Sequence, residues 1–275
     1  MKENSRELYL DLMKKCLVNW IYGNEEYVEV LPTSFLKREI VEQCQARQLY
    51  LMRLRSMVPE LRNIGRDYED GFGYPQAHTM IGLKRLDNIK FCIESILSRN
   101  IPGDLIECGV WHGGAVIFKR AMLKAYGVTD RLVWVADSFE GCPPPDEKKY
   151  PHDKGVDFYQ DSNLAVTIDK VKANFDSYGL LDNQVCFLKG WFKDTLPKSP
   201  IQRLALLRVD GDLYESTMDV LFNLYPKLSK GGYAIIDDYN GISACKKAVN
   251  DYRELNNIKD DILEIDKDSI YWQKS

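Results

Sequence analysis

Five acids stand at the ends of short apolar runs: Glu107 in LIECGVWHGG, Asp137 in VWVADSFEG, Asp210 in LALLRVDGDLYEST, and Asp237 with Asp238 in GGYAIIDDYNG. Neighbouring strands of a parallel sheet lie ~4.8 Å apart, so carboxylates at their carboxyl ends can converge on one point. Ionised together, Asp210, Asp237 and Asp238 would repel unless a cation sat among them. An all-oxygen donor set selects a hard ion, Mg²⁺ before Mn²⁺ or Ca²⁺. Adjacent strand residues face opposite ways, so both Asp237 and Asp238 can ligate only if the chain is already turning after Ile236. Asp212 reads as a solvated loop acid.

The turn after Glu107 raises a second question. A dinucleotide fingerprint aligned on Gly109 needs a glycine at position 111, where Trp111 stands, and its bulk bars the close approach a pyrophosphate requires. Glu107 would repel phosphate and attract an ammonium. Asp137 ends the next run at about the distance where an acid holding two ribose hydroxyls belongs. A positively charged, phosphate-free nucleoside cofactor suits this pair, and S-adenosyl-L-methionine (SAM) is such a molecule.

These acids need a scaffold. From residue 103 onward, apolar runs at 104–108, 131–136, QVCFL, RLALLRV and GYAIID are separated by helical patterns. Runs that do not alternate polar and apolar predict strands buried on both faces, hence a doubly wound, mostly parallel α/β sheet. The closing pair DILEI and SIYWQ is joined by too few residues for a crossover, so one terminal strand should be antiparallel. Such sheets bind ligands outside the carboxyl ends of their strands, where the acids lie. The helical patterns predict faces formed by Leu164, Ile168, Val171 and Phe175, by Met218, Leu221, Phe222 and Tyr225, and by Cys245, Ala248, Val249 and Tyr252. Upstream, Tyr9, Leu12, Met13, Cys16 and Trp20 form the stripe of an amphipathic helix, 35–57 reads as a second, and a further helix falls near 83–99. The chain thus divides into a helical extension, 1–70, and a sheet domain, 71–275.

The 275 residues carry a net charge of −4 and are 45% apolar, which offers no basic surface for nucleic acid or anionic membrane. Seven scattered cysteines without a CxxC pair argue against a zinc ribbon or a disulfide framework. No apolar run is long enough to span a membrane, and the charged N-terminus lacks a signal peptide's core, so the expectation is a soluble cytoplasmic protein.

MIGLKRLDN, DLIECGVWHGG, VWVADSFEGCPPPD, ANFDSYGLLDNQVCFLKGWFKDTLP, LRVDGDLYESTMDVLFNLYPKLSKGGYAIIDDY and IYWQ, taken in order, resemble the macrocin O-methyltransferase family, the TylF/MycF/NovP group. The likeness implies a Rossmann-like fold and SAM- and Mg²⁺-dependent methylation of a sugar hydroxyl on a natural product or glycan. It implies that Thr79 and Met80 border the cofactor and that Glu107, Gly109, Val110 and Trp111 contact its methionine end. Asp137 and Ser138 would hold the ribose, Gly190 and Trp191 would flank the adenine, and Asp210, Asp237 and Asp238 would bind the metal. The extension would contribute to a substrate lid and to a homo-oligomer contact.

A sugar hydroxyl is a poor nucleophile until a metal lowers its pKa, and two adjacent hydroxyls chelating the ion would fix the acceptor for attack, so the expected partner is a glycosylated small molecule with a vicinal diol. Asp210 is the first choice for the proton acceptor, ahead of His152 in the polar loop PPPDEKKYPHDKGVDFYQDSN. The rival reading is a metal-dependent glycosyltransferase using Asp210-Gly211-Asp212 as a DxD motif, and a third is a non-catalytic SAM-binding protein.

Overall fold

The computed structural model describes residues 2–21, 27–29, 52–54 and 77–275. Seven strands form the main sheet: β3 (Asp104–Cys108), β4 (Val133–Asp137), β5 (Val185–Lys189), β6 (Leu204–Val209), β7 (Leu228–Ile236), β8 (Leu263–Glu264) and β9 (Ile270–Gln273). Their order is β5-β4-β3-β6-β7-β9-β8. Every pair from β5 across to β7 is parallel, and β9 runs antiparallel to both β7 and β8, as the short final connection requires. The chain builds outward from β3 to β5, then returns to lay β6 on the other side of β3. This reversal opens a crevice between the ends of β3 and β6.

The helices α2 (Leu83–Ser98), α3 (Gly114–Ala125), α4 (Ile168–Ser177), α6 (Tyr214–Leu224) and α7 (Ser243–Leu255), with the single turn α5 (Phe192–Thr195), complete the α/β unit. Two apolar clusters result, one on each face of the sheet. The first joins β3, β4 and β6 to α2 and α3 through Ile89, Ile93, Phe118 and Met122, and the second sets Val220, Leu224, Val249 and Tyr252 around Trp272. In α4, Val171 and Phe175 are buried as expected, but the helix begins at Ile168 under the Thr167 cap, leaving Leu164 in a preceding 3₁₀ turn. In α6 the inward residues are Val220, Leu221 and Leu224, and Phe222 is half exposed.

The helix α1 (Lys2–Leu17) packs against α3, where Arg6 Nε donates to the Ala125 carbonyl at 3.1 Å. Its buried side chains are Leu10, Met13 and Leu17, all members of the first core cluster. Of the expected stripe Tyr9, Leu12, Met13, Cys16 and Trp20, Met13 is buried and Tyr9 and Cys16 are half-buried, but Leu12 and Trp20 are exposed. The buried line runs through Leu10, Met13 and Leu17, so the face is partly rotated. The helix expected over 35–57 lies outside the described residues except at β2 (Met52–Leu54), which is a strand pairing antiparallel with β1 (Tyr27–Glu29). No helix among the described residues is long and apolar enough to cross a membrane.

Candidate active site

The crevice holds a cavity of about 390 Å³, within the range of small-molecule sites. Thr79, Met80, Glu107, Gly109, Val110, Trp111, Asp137, Ser138, Trp191, Asp210, Asp237 and Asp238 all line it. Gly190 lies just behind the wall, its N–H donating to the Asp137 carbonyl at 2.9 Å. His152 is not brought to the cavity. It sits exposed on the outer side of its loop, its ring 5.2 Å from that of Tyr214.

The glycine turn is shaped by its neighbours before any ligand arrives. Gly109 has φ +88°, and a Cβ there would collide with the Asp210 carbonyl. This close approach lets the end of β3 lie against β6, where the Asp210 N–H donates to the Cys108 carbonyl at 2.9 Å. Trp111 also adopts positive φ, +48°, a conformation that strains a bulky side chain. Its indole N–H donates to the Asn163 carbonyl at 2.9 Å, tying the turn to the loop over the cavity. His112 supports the turn through its carbonyl, which accepts from Asn174 at 2.8 Å. His78 is structural too: its carbonyl accepts from Gly114 at 2.6 Å and its Nδ1 meets the Tyr178 hydroxyl at 2.9 Å. Burial pushes both histidines below their ordinary pKa.

Glu107 and Asp137 have partners that the sequence did not announce. Glu107 is buried, one oxygen paired with Lys119 of α3 and the other with Arg208 of β6. Lys119 is fully buried, and that burial holds its ammonium below the usual lysine range. Asp137 accepts from the Val110 N–H at 2.7 Å and from the Phe139 N–H at 2.7 Å. Its carboxylate therefore braces the glycine turn. Ser138 is likewise engaged, its hydroxyl donating to the Gly141 carbonyl at 2.7 Å. Lys119 and Arg208 are both paired with carboxylates, so neither is left for a phosphate, which fits a phosphate-free cofactor, and Trp191 and Phe192 add an aromatic wall beyond.

Across the crevice, Asp210, Asp237 and Asp238 each present an oxygen within 4.8 Å of the others. Strand β7 ends at Ile236, so the chain is turning where Asp237 and Asp238 need it to. Asp212 corrects the expectation of a solvated loop acid: it has φ +56°, lines the cavity, and accepts from the Cys142 thiol at 3.4 Å. Removal from water and the charge of Asp210 push Asp212 up to about 7. Removal from water and the charge of Asp237 raise Asp210 and Asp238 well above the carboxylate range.

Two arginines partly offset this crowding. Arg208 pairs with Asp237 and, at 3.0 Å, with Asp210, while Arg85 of α2 reaches Asp237 at 2.7 Å. Even so, Asp238 and Asp212 have no cation within ion-pairing distance among the described residues. An excess of hard oxygen donors beside satisfied neighbours fits a divalent cation. Sequence reasoning missed both arginines and Lys119. The available signal was Arg208 itself, a charge inside the apolar run LALLRV, two residues from Asp210 and so on the same face of the strand.

The loop over the cavity contributes Cys142, Pro143, Phe158, Asp161 and Leu164 to its walls. Besides the Trp111 link it is pinned by Asp153, fully buried, whose oxygens accept from the N–H groups of Tyr214 at 2.5 Å and Glu215 at 3.1 Å. These are orphan donors at the start of α6, the helix that follows Asp210 and Asp212.

The macrocin-O-methyltransferase (TylF) family profile matches residues 6–274. Mycinamicin III 3''-O-methyltransferase of Micromonospora griseorubida is 47% identical over 272 residues, 98% of this chain and 97% of that protein. Demethyldecarbamoylnovobiocin O-methyltransferase of Streptomyces niveus is 47% identical over 269 residues, 98% of this chain and 94% of that one. The solved structure of the O-methyltransferase NovP superposes with a TM-score of 0.80 at 47% identity, covering 98% of this chain and 99% of that chain. The calicheamicin methyltransferase CalS11, at 19% identity, TM-score 0.58, and 89% and 95% coverage, shares the fold.

Proposed function

From the premise that this chain belongs to the macrocin O-methyltransferase family, we propose that it methylates one hydroxyl of a vicinal diol on the sugar of a glycosylated natural product, using SAM and Mg²⁺. Its relatives' names place them on such compounds: mycinamicin, novobiocin and tetracenomycin derivatives. The observation that carries the reading is the group Asp210, Asp237 and Asp238, within 4.8 Å of one another and across one crevice from the glycine turn.

When bound, the sulfonium supplies the methyl group and the divalent cation lowers the pKa of the acceptor hydroxyl. The chain's own residues do the rest. Asp137 fixes the turn from Val110 to Phe139, so the cofactor end of the cavity is shaped in advance. Arg208 holds Asp210 by Oδ2, which leaves its other oxygen to take the hydroxyl proton. Phe158 and Leu164 shield the reacting atoms from water, and Trp191 and Phe192 give the adenine a flat apolar face. Holding acceptor and donor in one geometry supplies much of the acceleration.

Family membership overturns the glycosyltransferase reading of Asp210-Gly211-Asp212, although both acids do face the cavity. The test is transfer from methyl-labelled SAM to a panel of macrolide, aminocoumarin and tetracenomycin glycosides, each offered with its diol intact and with either hydroxyl removed. Labelling only of the intact diol, abolished by EDTA and restored by Mg²⁺, is the expected result. Equal transfer in EDTA would overturn the metal role, and equal transfer to a mono-deoxy acceptor would overturn the diol requirement.

A further inference from the structure

Asp237 is gripped from two sides. Arg208 of the adjacent strand β6 pairs with its Oδ1, and Arg85 donates to its Oδ2 at 2.7 Å. Arg85 comes from the first turn of α2, outside the sheet, and does not stop at Asp237. Its Nε donates to Asp266 Oδ2 at 2.6 Å, its Nη2 to Asp266 Oδ1 at 3.3 Å, and Nη2 lies 3.5 Å from Asp268 Oδ2. Asp266 in turn accepts from the N–H groups of Asp268 at 2.9 Å and Ser269 at 2.8 Å. One guanidinium therefore bolts a helix, the end of β7 and the turn between β8 and β9 together. The side chains involved are nearly dry: Arg85 is 9% exposed, Asp237 7% and Asp266 1%, so water cannot replace a lost partner without rearrangement.

We propose that Arg85 is a positioning residue for the metal ligand Asp237, acting through that carboxylate and anchored for the purpose by Asp266. The proposal rests on the metal reading above. Two effects oppose each other when Arg85 is removed. Losing a cation strengthens the site's attraction for a divalent ion. Against this, Arg208 becomes the sole partner of Asp237, and its planar fork can then take both carboxylate oxygens, turning them away from Asp210 and Asp238. Partners that orient metal ligands are commonly worth about 10–100-fold in metal affinity, so the geometric loss prevails.

The experiment is titration of the full-length protein with Mn²⁺, read by its electron paramagnetic resonance signal, alongside calorimetric titration with S-adenosylhomocysteine. In Arg85→Met the Mn²⁺ dissociation constant rises about 10–100-fold, while S-adenosylhomocysteine binding is nearly unchanged. Arg85→Lys recovers part of the loss. Asp266→Asn keeps an oxygen for the two backbone donors and leaves Arg85 its charge but not its charged anchor, and it weakens Mn²⁺ in the same direction by a smaller factor. Mn²⁺ binding in Arg85→Met that is unchanged or tighter overturns the proposal while leaving the metal reading intact. Should Arg85→Met fail to fold, unchanged Mn²⁺ affinity in Asp266→Asn overturns it instead. An unsubstituted protein that takes up no Mn²⁺ overturns both readings together.

Discussion

At the glycine turn, Glu107 and Asp137 spend their oxygens on the protein: two cations for the first, two backbone N–H groups for the second. Across the crevice, Asp210, Asp212 and Asp238 share too little positive charge; burial raises the pKa of Asp137 as well, but here neighbouring carboxylates add to that rise. The same residue type at the same end of the same sheet thus does opposite work. An acid whose charge is fully met, such as Glu107, braces the cavity, whereas a group with more carboxylates than cations, Asp210, Asp212, Asp237 and Asp238 beside two arginines, is a request for a ligand. Strand-end position alone does not distinguish them; the balance of carboxylates against cations over the whole group does, since Asp237 is itself held by Arg85 and Arg208.

The largest effect expected from this contrast is on the unsatisfied side. Asp210→Asn should lower the turnover number by about 10³-fold, the range lost with a general base, while S-adenosylhomocysteine affinity by calorimetry stays close to the parent's. Weakened cofactor binding of the same size would erase the division of labour. On the satisfied side, Glu107→Gln strands the buried Lys119 beside Arg208, so chemical unfolding should show a loss of about 3 kcal/mol. A variant as stable as the parent would mean that the trio is not a structural unit.

A smaller, pH-dependent effect is expected at Asp219, which lines the cavity apart from Asp210, Asp237 and Asp238. Burial and the charge of Glu215 push it up to about 6, above its value of about 3.9 in an unfolded chain. The folded state then binds the extra proton, so this group favours folding below about pH 4 and that contribution fades as pH rises through about 6. In Asp219→Asn, stability measured by urea unfolding should fall less between pH 4 and pH 7 than in the parent. An identical fall in both proteins would show that Asp219 titrates normally. The smallest effect should come from His152→Ala, which leaves the turnover number near the parent's. A loss of about 10²-fold or more would restore the histidine as the base.

The α/β sheet was legible because buried parallel strands leave unbroken apolar runs, and the reversal of β9 followed from a connection too short to cross over. The convergence of Asp210, Asp237 and Asp238 was legible for a related reason, since strand ends in register must meet. What escaped was the pairing of charges between elements distant in sequence. Lys119 looks like the polar side of a helix until β3 is packed beneath it, and Arg85 reaches a carboxylate 152 residues away. Asp212 was misjudged because its direction depends on a positive φ that the string DGDL does not specify. The rotated face of α1 has the same origin: amphipathic periodicity marks a helix, but the neighbour it meets decides which residues turn inward.

The Asp153 contact ties the loop over the cavity to the head of α6. Segment 142–163 lines the cavity, and losing the Asp153 carboxylate would leave the amides of Tyr214 and Glu215 without their acceptor. That loss costs about 1 kcal/mol per cap, so the loop and the first turn of α6 stabilise one another. The wall of the cavity is thus fastened to the opening turn of the helix that follows Asp210 and Asp212, so the packing of each depends on the other.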